Sequence, residues 1–184
     1  MYIEQGLSIF MGAFVVWGFL MAMFFNLMLL GFKAKVDLKL VWASSVMAIS
    51  YVVSDHFYDF FSGADVYLTW VVYDLVTLGL ILPALFLGRK RVCAGVVYVL
   101  IGLVVNSILY LSIHWDLNIR GNTEPWWLWT FYSMGINLSD LTMIVALIVD
   151  RDILGIIKIK DVAKERFSSF SDRFLTKCLS VHSA

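Results

Sequence analysis

Five long apolar runs, at about 8–31, 40–61, 66–87, 92–114 and 126–149, constrain this chain more than anything else in it. A run of roughly 18 or more apolar residues is the length that carries an α-helix across a bilayer. The composition agrees: 61% of the 184 residues are hydrophobic and only 15% are charged. A soluble domain of this size carries about 25% charged residues. The expected class is all-α, a polytopic membrane helical bundle with five transmembrane helices in residues 1–150, followed by a basic tail in 151–184.

The charges set an orientation. Formal net charge is zero, but of the 14 lysines and arginines only Arg120 falls beyond the even-numbered turns, among Asp65, Asp116 and Glu124. The others follow the first, third and fifth runs: Lys33, Lys35 and Lys39, then Arg89, Lys90 and Arg91, then Arg151 and the tail. The positive-inside rule makes that face cytoplasmic. The N-terminus is then outside and the C-terminus inside, which requires an odd number of spans. The expected location is a bacterial inner (cytoplasmic) membrane.

Trp70, Trp115, Trp126, Trp127 and Trp129 fall near the outer ends of spans. Interfacial anchoring accounts for them, and a ligand-binding aromatic cage is the lesser reading. Glu4 occupies what would be the positive n-region of a cleaved signal, and the first run is too long for a signal h-region. Cys93 and Cys178 both lie on the reducing side, so no disulfide is expected.

Inside the runs the informative residues are polar. Gly18, Ala22 and Asn26 recur every four positions, a small-residue face on which another helix can pack. The second run has a stripe of Ser44, Ala48, Tyr51, Asp55 and Asp59, and the third returns with Tyr73, Asp74 and Thr77. At a rise of about 1.5 Å per residue, Asp55 lies roughly 9 Å and Asp74 roughly 12 Å below the outer boundary, level enough to face one another. Asn106 in the fourth run comes to a similar depth, on a face shared with Gly95 and Gly102. The fifth run has Thr130, Ser133, Asn137 and Asp140 at steps of three, four and three, with Asp140 roughly 21 Å deep. His56, His114 and Asp116 stand at the outer mouth. Turned inward, Asp59, Asp55, Asp74, Asn106, Asn137 and Asp140 form a descending polar series. It is either an ion or proton site or an interhelical hydrogen-bond network, and the network reading carries the greater weight.

In the tail, Ala163, Phe167, Phe170, Phe174 and Cys178 recur at helical spacing, while Lys164, Arg166, Arg173 and Lys177 occupy other faces. This is the pattern of a basic amphipathic helix, suited to the inner leaflet, a cytosolic protein or a neighbouring copy.

Three functional classes follow. The first is a non-catalytic membrane subunit (sensor, anchor or assembly component) that oligomerises in the membrane and docks a cytosolic partner through its tail. The runner-up is an oligomeric cation or proton channel or carrier built on the carboxylates. It lacks the inverted repeat and broken helix pair usual in transporters. The third is an intramembrane metal-dependent enzyme, for which there is no HExxH motif or convincing ligand spacing. The expectation is therefore no catalytic residue, no metal and no cofactor. The expected partners are the lipid bilayer, a second copy and a cytosolic protein, without direct nucleic acid binding.

Overall fold

In lipid every backbone N–H and C=O must be satisfied within its own segment, and a continuous helix is the way a single apolar run achieves this. A computed structural model of the chain describes residues 2–34, 37–56, 66–86, 92–122, 124 and 126–152, and among these it is helical with no strand. The helices are α1 (Tyr2–Gly31), α2 (Leu38–His56), α3 (Val66–Phe86), α4 (Ala94–His114) and α5 (Trp127–Val149). All five are long and apolar enough to cross a membrane. Asp59 and the tail positions Lys164, Arg166, Phe167, Phe170, Arg173, Phe174 and Lys177 lie outside the described residues.

Two boundaries differ from the sequence expectation. Helix α1 starts at Tyr2, ahead of its apolar run. Helix α4 does not stop at His114 but widens into a π-helical turn, Trp115–Ile119, so the start of the expected exposed connection is helical.

The helix ends are held by specific groups. Helix α1 closes with Lys33 left-handed (φ 56°). Lys33 N donates to Leu30 O and Ala34 N to Leu29 O, both at 3.0 Å. These paired bonds satisfy carbonyls that the last turn would otherwise leave unpaired. Asp37 Oδ1 accepts from Lys39 N at 3.2 Å and caps α2. At α4 the residue before the helix, Cys93, makes no capping bond with its side chain. The cap comes from the end of α5 instead: Asp150, left-handed at φ 46°, ψ 44°, accepts from Gly95 N at 3.0 Å. Pro83 lies inside α3. Along this last part of α3, Trp42 Nε1 donates to Leu80 O at 3.1 Å and Lys39 Nζ to Leu85 O at 3.3 Å. The ammonium thus meets the carbonyl end of the helix dipole.

The helices close a ring. Helix α1 packs on α2 and α5, α3 bridges α2 and α4, α4 packs on α5, and α2 and α4 also meet. Small residues set the tightest approaches, as the sequence pattern anticipates. A Cβ on Gly95 would lie 2.8 Å from Ala146 O, and one on Gly102 would strike the Met143 side chain. Asn26 Nδ2 crosses from α1 to Leu147 O on α5 at 3.1 Å while also reaching Ala22 O at 2.9 Å. Inside the ring, Phe19, Met47, Ile81, Leu103, Met143 and Leu147 form a buried apolar plug drawn from all five helices. Large apolar side chains face outward, among them Trp17, Met21, Phe24, Val72, Ile108 and Met134. A surface of that kind belongs against lipid rather than water.

Candidate functional site: a carboxylate-floored cavity

On the side of the plug toward the end of α2, the helices leave an open cavity of about 730 Å³. Its lining comes from every helix: Met11 and Val15 of α1, Tyr51 of α2, Trp70 of α3, Tyr110 of α4 and Asp140 of α5 are representative. Asp140 is its floor and is only 5% exposed. One oxygen of this carboxylate, Oδ1, accepts from Tyr51 Oη at 2.7 Å and from Asn106 Nδ2 at 2.8 Å. Three helices therefore converge on one atom. The Tyr51 ring lies tilted against Phe19 at 4.4 Å between centroids, which joins this floor to the plug beneath.

Asp74 completes the buried group. It is 8% exposed and lies in electrostatic range of Asp140. Both carboxylates also act on the hydroxyls of Tyr51 and Tyr110. Asp74 Oδ2 and Asn106 Oδ1 are buried and have no hydrogen-bond partner among the described residues. One turn further along α3, Thr77 Oγ1 donates to Tyr73 O at 2.7 Å and shares a hydrogen bond with Ser50 of α2.

Asp55 stands elsewhere. The sequence expectation sets it opposite Asp74, but it is 57% exposed at the cavity mouth, 3.8 Å from His56 Nδ1. The buried neighbour of Asp74 is Asp140. The reason is depth along α2: Asp55 is the residue before the last of the helix and stands at the rim, while Tyr51, one turn deeper on the same stripe, reaches the centre. Asn137, though on the same stripe as Asp140, lines the cavity wall and donates to Ser133 O of its own helix at 2.7 Å.

The remaining mouth residues fall into two groups. His114 Nδ1 accepts from Asn118 Nδ2 at 2.9 Å, one helical turn on. Asp116 is not a free acid at an opening. It is 2% exposed, and its Oδ2 accepts from Trp126 Nε1 at 2.6 Å and Trp129 Nε1 at 3.2 Å. Asn122 Nδ2 reaches the same oxygen at 3.3 Å. Two tryptophans expected chiefly as anchors thus tie the start of α5 to the π-turn after α4. The sequence signal was faint: an acid and two indoles on either side of a turn-forming segment.

Among the described residues no three histidines, cysteines or acids gather into a metal-binding group. Fold and cavity together define a class, a membrane-type bundle of five helices with an open, carboxylate-lined pocket. No family model, curated protein or solved structure matches the chain.

Proposed function

We propose that this chain is a non-catalytic integral-membrane subunit that binds a ligand in its cavity and reports it through the bundle. The observation that carries this reading is the oriented carboxylate in the cavity lining. Asp140 lines the cavity and receives two donors on one oxygen, and the Tyr51 ring beside it packs on Phe19 of the apolar plug. A carboxylate held by Tyr51 and Asn106 is positioned to bind, because its orientation is determined before any ligand arrives. The same plug weighs against a conduit through one chain, since an ion would have to cross a layer lined by Phe19, Met47, Leu103 and Met143. Because α2, α4 and α5 share the floor, a change there bears on three helices at once. By the charge rule, the mouth faces outward in a bacterial inner membrane and the basic tail, residues 161–184, is the cytosolic docking element.

Two measurements on reconstituted protein test this. In a cysteine-free background, an impermeant maleimide added from the mouth side labels Ser133→Cys, which lines the cavity, and spares Ser44→Cys, which is fully buried below it. Liposomes containing the protein show no sodium, potassium or proton flux above empty vesicles. Flux through the unmodified chain transfers it to the channel class. Deleting 161–184 leaves a folded bundle that no longer recruits its cytosolic partner.

A further inference from the structure

We infer that the ligand of the cavity is an organic ammonium, a protonated amine carried on an apolar body. The inference rests on the binding reading above and adds the chemistry of what fills the site.

Size argues first. The cavity, about 730 Å³, falls among small-molecule sites of roughly 300–1,000 Å³. A single water takes about 30 Å³, so a bare or partly hydrated metal ion leaves most of this space unused. The walls argue next. Trp70 and Tyr110 both line the cavity and stack with centroids 6.0 Å apart and planes 18° from parallel. An aromatic face attracts a cation within about 6 Å of its centroid, and an ammonium bearing hydrocarbon fits there better than a hydrated ion. Met11, Val15 and Val16 add apolar wall that suits a hydrocarbon body.

The floor supplies the charge. Asp140 lines the cavity, its Oδ1 taken by Tyr51 and Asn106; Asn106 Oδ1 and Asp74 Oδ2, buried outside the lining, have no hydrogen-bond partner among the described residues. The charged groups that the lining itself presents are therefore carboxylates, Asp140 and Asp55. An ammonium brings up to three N–H donors and a positive charge. Asp55, at the mouth, adds a second carboxylate that draws a cation inward. Among the described residues no lysine or arginine lines the cavity.

The test titrates 4-phenylbutylamine, its uncharged counterpart 4-phenylbutanol and sodium chloride into the full chain in nanodiscs, followed by calorimetry with empty nanodiscs subtracted. The amine is expected to bind saturably and at least tenfold more tightly than the alcohol. A hundredfold excess of sodium should leave it bound. Asp140→Asn should lower the amine to the level of the alcohol, and Trp70→Leu should weaken it several-fold. Equal binding of amine and alcohol, displacement by sodium, or a folded Asp140→Asn protein that still prefers the amine each overturns the inference. Should Asp140→Asn fail to fold, Asp55→Asn decides. Asp55 lines the cavity and is 57% exposed, so the fold tolerates the change. Amine binding must then weaken several-fold, and an unchanged affinity overturns the inference. A cavity that is labelled from the mouth but does not prefer amines sinks the ligand class alone, whereas cation flux sinks the reading beneath it.

Discussion

Asn106 of α4 lies 2.8 Å from Asp140 of α5, its amide donating to the carboxylate oxygen that also receives the Tyr51 hydroxyl. Helices α4 and α5 also approach closely at two glycines, Gly95 and Gly102. Polar and steric fits therefore coincide along one helix pair, and each can be broken separately.

Removing one donor from Asp140 should weaken the bundle modestly. Interhelical hydrogen bonds in membrane proteins contribute about 0.6 kcal/mol on average and about 1.7 at most. Tyr51→Phe and Asn106→Leu should each cost an amount in that range in thermal or detergent unfolding. Because both act on one oxygen, a double-mutant cycle should show coupling, and strict additivity would mean that they do not share it.

The glycines on α4 should differ from one another. At Gly95 the nearest atoms to an added Cβ include the backbone oxygen of Ala146, whereas at Gly102 they belong to the flexible Met143 side chain. Gly95→Ala should cost about 1–3 kcal/mol by overpacking, with Gly102→Ala well below it. Gly79→Ala in α3 is the control: nothing lies within 4 Å, so alanine should be neutral or stabilise the helix by up to about 1 kcal/mol. Equal losses at all three positions would refute the close approach at Ala146.

The turn between α4 and α5 should loosen in a graded way. Trp126 donates to Asp116 at 2.6 Å and Trp129 at 3.2 Å. Trp126→Phe should therefore raise hydrogen exchange across 115–122 more than Trp129→Phe does. Asp116→Leu should raise it most, since it removes the acceptor for both. Unchanged exchange in all three variants would reduce these tryptophans to lipid anchors.

Cys93 should be a poor nucleophile. Burial, reinforced by the Asp150 and Asp37 carboxylates, pushes its thiol up to about 12, because both effects disfavour the thiolate. Alkylation in a Cys178→Ser background should be slow at pH 8 and rise about tenfold per pH unit without levelling off below pH 11. Asp150→Asn should speed it by removing one of the opposing charges. A rate plateau near pH 9 would show an ordinary thiol.

Span number was legible because a bilayer reads run length, and the five apolar runs have that length whatever their neighbours do. The packing role of Gly18, Ala22 and Asn26 was legible for a similar reason, since small residues four apart admit a partner helix by local geometry alone. The site was only partly legible. Asp140, Asn106 and Asp74 could be named from depth and helical spacing, because both follow from a constant rise along the axis.

Partner choice was decided by tertiary structure. Tyr51 and Asp55 lie one turn apart on the same stripe, and nothing local determines which of them meets a partner. The packing of Met47 and Ala48 within the ring turns that stripe inward, and α5 brings Asp140 to the Tyr51 hydroxyl while Asp55, at the helix end, is left at the rim. Likewise Asp116 could find Trp126 and Trp129 only once the chain had turned back. Hydrophobic run length is a property of each segment by itself, whereas a hydrogen bond between helices depends on the rotation of both.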